Sequence, residues 1–199
     1  MIKHFELRRN IFHLFYGLTY VLLIYFNIFH LIHLLVLLLI GTIIALASLK
    51  YKLPFISWFL EKFERPDTFP GKGALTFLVG VIFAVALFDK SIALAAIAIL
   101  TVGDSFSHIV GRFYGKIKNP LNSLRFLEGT LIGALCASFG AMLFVSPIKA
   151  FIASFIAMIV EAVDIKLLIN GWAKRWVFDV ILDDNVIVPL VAGVVLSVL

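Results

Sequence analysis

Long apolar runs recur along this chain, and nearly all of its charge falls in every second gap between them. Seven apolar segments leave eight flanking regions, and the odd-numbered regions are Met1–Asn10, Lys50–Lys72, Asp104–Glu128 and Glu161–Asn185. These four hold 15 of the 17 Lys and Arg; Lys90 and Lys149 are the exceptions. They also hold 11 of the 12 acidic residues, with Asp89 outside. A basic bias alone is enough to orient a helical membrane protein, because Asp and Glu contribute little to topology. The acidic residues that accompany it point to a polar reaction site on the cytoplasmic face.

Composition sets the class. The chain has 199 residues, 62% hydrophobic and 15% charged, which lies outside soluble globular usage. Backbone groups in lipid must be paired within the segment, so the expected fold is all-α: one polytopic membrane helical bundle over residues 1–199. The apolar runs lack the alternation of barrel strands. About seven transmembrane helices are expected, with the N-terminus cytoplasmic and the C-terminus outside. The net charge of +5 follows from loop bias and calls for no nucleic acid. Cys136 stands alone among small neighbours and reads as an inert structural thiol. Lys3, Arg8 and Arg9 precede a long aromatic-rich run without a small-residue cleavage site, which reads as a retained signal anchor.

The expected helices begin with Ile11–Phe29 and Leu31–Leu49, joined by an uncharged outer turn. Lys50–Lys72 mixes Phe55, Trp58, Phe59 and Phe63 with Glu61, Lys62 and Glu64, which predicts a short interfacial helix broken by Pro66 and Pro70. A third span covers Gly73–Phe88 and a fifth Gly129–Val145. The runs Ser91–Gly103, Ile148–Val160 and Val186–Leu199 are only 13, 13 and 14 residues long. Crossing about 30 Å of hydrocarbon takes about 20 residues. If all three cross without local thinning or re-entrant segments to relieve the mismatch, each must continue into its polar neighbours. That would carry Asp104, Glu161, Asp164, Asp183 and Asp184 below the cytoplasmic surface, where charges need water, a cation or basic partners.

The densest polar stretch runs from Gly103 to Lys116. On a helix, Asp104, Ser107, His108, Gly111 and Gly115 share one face. The two glycines fit equally a helix-packing face and a close approach to a ligand. Glu6, Arg9, Asn10, His13 and Gly17 share another helical face, readable as an interfacial anchor or as part of a site. Glu161 and Asp164 stand three apart, and Asp183-Asp184-Asn185 exceeds what one helix cap requires. Hard oxygen donors of this kind suit Mg²⁺ together with phosphates. Glu128 also suits a plain helix N-terminus. Gly71-Lys72-Gly73 lacks Walker A spacing. His4, His30 and His33 read as interfacial, with no metal. Zinc spacings, a nucleophile elbow and a dinucleotide fingerprint are all missing. Carboxylates and basic groups at a membrane surface suit phosphoryl or nucleotidyl transfer to a lipid.

The order of motifs adds to this. Glu6-x-x-Arg9-x-x-x-His13, Phe69-Pro70-Gly71-Lys72-Gly73, Gly103-Asp104-Ser105 with Gly111-Arg112 and Gly115-Lys116, Leu127-Glu128-Gly129-Thr130, Glu161, and Asp184-Asn185 with Pro189 follow one another along the chain. The set resembles the CTP-dependent polyprenol kinase family, which includes dolichol kinase, phytol kinase and the CTP-dependent diacylglycerol kinases. The resemblance implies an essential acid at Asp104, a nucleotide-site glycine at Gly111 and the arginine of an N-terminal basic pair at Arg9. Asn10 replaces the second basic residue of that pair, and Phe126 stands where Ser often precedes Leu-Glu-Gly.

The expectation is a CTP-dependent kinase acting on a membrane lipid alcohol: a polyprenol or dolichol, phytol, geranylgeraniol or diacylglycerol. Asp104 and Glu128 are the expected catalytic residues, Glu128 acting on the acceptor hydroxyl. Asp104, Glu161 and Asp184 would hold Mg²⁺. Arg9, Lys72, Gly111, Arg112, Lys116 and Arg125 would bind CTP. The setting would be the cell membrane, or an endoplasmic-reticulum-type membrane in a eukaryote, with the lipid bilayer and CTP as partners. A cytidylyltransferase remains an alternative, although its Pro-Gly-His-Gly-Gly and Asp-Arg-x-Asp stretches are missing. A transporter fits less well, because the charges gather at one face and not at the midplane.

Overall fold

A computed structural model describes residues 2–64, 68–120, 122–163 and 180–199. Eight helices stand among them: α1 (Ile2–Tyr25), α2 (Leu31–Lys50), α3 (Pro54–Phe63), α4 (Lys72–Leu87), α5 (Lys90–Tyr114), α6 (Leu127–Ala141), α7 (Pro147–Ala162) and α8 (Asp184–Val198). A two-stranded antiparallel hairpin, β1 (Lys118–Asn119) and β2 (Asn122–Phe126), separates α5 from α6. The helical class matches the sequence expectation, and the hairpin adds to it. Asp164 and Pro66 lie outside the described residues.

The short-run argument meets a different outcome at each helix. α5 continues through Asp104 to Tyr114, giving 25 residues, or about 37 Å at 1.5 Å per residue. α7 runs past Glu161 and stops at Ala162. α8 does not extend upstream: Asp183 is its N-cap, its carboxylate accepting from the Asn185 N–H at 3.2 Å. By length and composition, α2 and α5 are the two described helices able to cross a membrane, and α4, α6 and α8 are shorter apolar helices.

α5 is the hub, packed against α6, α1, α8 and α4. Its buried side chains are mostly small, as are those of its neighbours: Ala93, Ala95, Ala96, Ala137, Ala141, Ala153 and Ala157 have almost no exposure. Many large apolar residues face outward, including Phe15, Leu39, Phe139, Leu143 and Ile148, while others such as Phe77, Leu34 and Ile97 fill the core. Such an exterior departs from the soluble pattern. Small residues bring helices close, and the described exterior carries many exposed large apolar side chains. On α1, Ile11, Phe15, Leu18, Leu22 and Tyr25 form the outward stripe, at steps of four and three.

Two glycines show how close the helices come. A methyl group built on Gly129 of α6 would lie 2.9 Å from the Gly111 Cα of α5 and would strike the Ser107 carbonyl oxygen. At the α4–α8 crossing, Pro189 has no N–H to offer the Asn185 carbonyl four residues earlier. That carbonyl lies against Gly80, where a side chain would collide with it. At the end of the bundle opposite the hairpin, Lys90 Nζ donates to the Tyr25 carbonyl at 2.9 Å and to Asn27 Oδ1 at 2.6 Å.

Candidate active site

The polar ends of α1, α4, α5 and α8 meet α3 and the hairpin around a cavity of about 730 Å³. That volume lies within the roughly 300–1,000 Å³ of small-molecule sites. The α5 stripe enters it as its spacing predicts, through Asp104, Ser107, His108 and Gly111. The α1 face brings Glu6, Arg9, Asn10 and His13, and α8 brings Asp184 and Asn185.

At the inner wall, three carboxylates converge on one guanidinium. Arg125 Nη1 contacts Glu161 Oε1 directly and stands 3.9 Å from Asp104 Oδ1, while Nη2 donates to Asp184 Oδ2 at 2.9 Å. The acids come from three helices, α5, α7 and α8, and the arginine from β2. The cluster grades from core to mouth: the Glu161 side chain is fully buried and that of Asp184 is 47% exposed. Burial works against the charge on Arg125. The pull of Glu161, Asp104 and Asp184 outweighs it and holds the guanidinium charged beyond its usual range. On the other side of Asp104, His108 Nε2 stands 3.4 Å from Oδ1 and His13 Nε2 3.6 Å from Oδ2.

The same cluster has the makings of a cation site. Asp104, His108 and Glu161 each offer a ligand atom, all within 4.8 Å of one another. Glu161 Oε2 is buried with no hydrogen-bond partner, which is costly for a carboxylate unless something else satisfies it. Two or more hard oxygens beside basic side chains form a donor set of the kind Mg²⁺ takes.

The remaining expected residues fall into two groups. Arg9, Lys72, Gly111 and Arg112 line the cavity. Arg9 pairs with Glu6 at 2.9 Å. Lys72 opens α4 directly after Gly71, whose φ of 75° is a left-handed conformation suited to glycine. The N–H groups of Gly71 and Gly73 donate to Glu64 at 2.7 and 2.9 Å. The phosphate-loop-like stretch is thus a helix start capped by a carboxylate. Lys116 and Glu128 are not among the lining residues. Glu128 accepts the N–H groups of Lys116 and Ile117, each at 3.0 Å, fastening the hairpin to the start of α6. Asn119 Nδ2 fastens its other side, donating to the Ala162 carbonyl at 2.9 Å.

Sequence reasoning placed His13, His108 and Asp183 in polar clusters without giving them a specific role, and read the aromatic side chains of α3 as interfacial. The helical spacing that sets His13 with Arg9 and His108 with Asp104 is what brings both histidines to the cavity. The α3 aromatics carry no polar signal that separates a site wall from an interfacial anchor.

Comparison with known proteins adds two likenesses. An uncharacterized protein of Methanocaldococcus jannaschii is 27% identical over 199 aligned residues, covering 96% of this chain and 93% of that protein. The CTP-dependent diacylglycerol kinase 1 of Eremothecium gossypii is 36% identical over 59 residues, which is 30% of this chain and 19% of the kinase's length. No family model matches the chain, and no solved structure matches it.

Proposed function

We propose that the chain is an integral membrane kinase that transfers the γ-phosphoryl group of CTP to the hydroxyl of a lipid alcohol. The observation that carries this reading is the meeting of Asp104, Asp184 and the fully buried Glu161 around Arg125, with Asp104, Asp184 and Arg125 lining a cavity that Arg9, Lys72 and Arg112 also line. Acidic donors beside basic groups are what phosphoryl transfer needs, because its catalysis is positioning and charge neutralisation. CTP and the lipid acceptor rest on the motif resemblance and on the stretch shared with the diacylglycerol kinase. The apolar exterior and the two helices long and apolar enough to cross support a bilayer setting. About seven crossings, with the N-terminus and the site on the cytoplasmic side and the C-terminus outside, rest on the alternation of charge along the sequence.

Asp104, Glu161 and Asp184 would hold Mg²⁺, which when bound supplies positive charge against the phosphate oxygens. Arg9, Lys72 and Arg112 grip the polyphosphate, with Gly111 giving it room at the α5 backbone. The lipid hydroxyl oxygen bonds to the γ-phosphorus while the bond to the bridging oxygen breaks and CDP leaves. The hydroxyl proton passes into the cluster formed by Asp104, His13 and His108. Glu128 and Lys116 act here through the hairpin, as positioning residues for Arg125.

The test is purified protein in nanodiscs with a panel of lipid alcohols and γ-labelled CTP, ATP and GTP. Label on one lipid class with CDP released is the expected result, and Asp104→Asn should abolish it. Transfer undiminished in Asp104→Asn would overturn the site, and release of pyrophosphate with a CDP-lipid, when a lipid phosphate is supplied as acceptor in a parallel reaction, would replace kinase by cytidylyl transfer.

A further inference from the structure

Besides the charged cluster, the cavity has an aromatic stretch of wall. Phe12 of α1 packs between Phe59 and Phe63 of α3, each at 5.0 Å between ring centroids, and Phe59 and Phe63 lie 4.9 Å apart. Tyr16 continues the wall one helical turn further, 5.7 Å from Phe12. All four line the same cavity as Asp104 and Arg125. Packing alone does not account for the arrangement, because these rings border open cavity space instead of closing it. α3 packs on α1, while its outer face leaves Phe55 and Trp58 74% and 52% exposed. It is therefore a thin apolar partition between the cavity and the exterior.

We propose that this α1–α3 wall seats the first carbons of the lipid acceptor, with the remaining chain passing out beside α3 into the bilayer. The inference rests on the kinase reading for the identity of the acceptor. A lipid alcohol must place one hydroxyl among charged groups and its first methylenes against apolar surface within a few ångströms. His13 links the two: it stands 3.6 Å from Asp104 Oδ2 and lines the same cavity as Phe12 and Tyr16 of its own helix. A volume of about 730 Å³ fits a nucleotide and the head of a lipid but not a long chain as well, so most of the tail must leave the cavity. Phe59 and Phe63 thereby become specificity-determining residues for the acceptor, with no contact to the nucleotide.

The decisive experiment is photolabelling of the wild-type protein in nanodiscs with a long-chain alcohol carrying a diazirine on a carbon near its hydroxyl, followed by peptide mapping. Label should fall on α1 around Phe12 and on α3 around Phe59 and Phe63. Phe59→Trp, which fills the groove without emptying the wall, should reduce it at least about fivefold. In kinetics, Phe59→Ala/Phe63→Ala should raise KM for the lipid about tenfold while KM for CTP stays within about twofold. Label on other helices, no competable label, or full labelling of Phe59→Trp would each overturn the seat. Label on α1 and α3 without phosphoryl transfer from any nucleotide would leave the seat standing and remove the kinase reading.

Discussion

Arg125 has three acidic neighbours, and the most deeply buried of them has no exposure at all. Removing one partner of such a pair leaves a desolvated charge, whereas removing both restores balance. Arg125→Met should therefore lower stability by about 3–5 kcal/mol, and Arg125→Met/Glu161→Gln should recover most of that loss in detergent thermal unfolding. A double variant no more stable than the single one would mean that Glu161 is not what Arg125 neutralises. Glu64 supports a pH prediction. Burial lifts its carboxyl above the ordinary range, against the opposing pull of the Gly73 and Gly71 N–H groups, Arg9 and Lys72. A raised acid pKa means that the folded chain holds the proton more tightly than the unfolded one. The contribution of burying Glu64 in its neutral form is then full below the ordinary carboxylate range and is lost as pH rises through the raised value. Glu64→Gln mimics the protonated form, so it should melt above wild type at pH 8, with the gap closing toward pH 4. A gap that widens in acid would reverse the assignment.

Among the elements, the α5–α6 seam and the hairpin decide where the site groups stand. α6 approaches α5 through Gly129 so closely that a methyl group would meet the Gly111 Cα and the Ser107 carbonyl. Gly129→Ala should cost about 1–3 kcal/mol by overpacking. It should also reduce activity, because pushing α6 outward moves the hairpin end that carries Arg125. Full activity in a destabilised Gly129→Ala would show that the seam serves stability alone. The sequence made most of these helices legible. Long apolar runs bounded by charge predicted α2, α4 and α7 closely, and the aromatic-charged mixture predicted α3. The hairpin escaped notice because its strands are 2 and 5 residues long and sit inside a polar stretch. Asn119-Pro120 and Asn122-Ser123 were its turn signals.

For the whole molecule, the hairpin and the carboxylate cluster lie at one end of the bundle and the Lys90–Asn27 contact at the other. In a Cys136→Ser background, single cysteines at Asn27 and Lys90 should react with a membrane-impermeant reagent from one side of sealed vesicles. Cysteines at Lys116 and Glu61 should react from the opposite side. Reaction of all four from the same side would exclude the proposed orientation. The sequence by itself determined that the chain is helical, because in so apolar a chain backbone groups must pair within each segment. It also placed most acidic residues with the basic ones, since which gaps are polar is written in the order of residues. Only the tertiary structure decided which of those residues meet. Glu161, Asp184 and Arg125 are separated by 23 to 59 positions, and no local period relates them. Their meeting depends on how closely small-residue faces let α5, α6, α7 and α8 approach, and on a short hairpin that turns one arginine inward while leaving Lys116 and Glu128 outside the cavity.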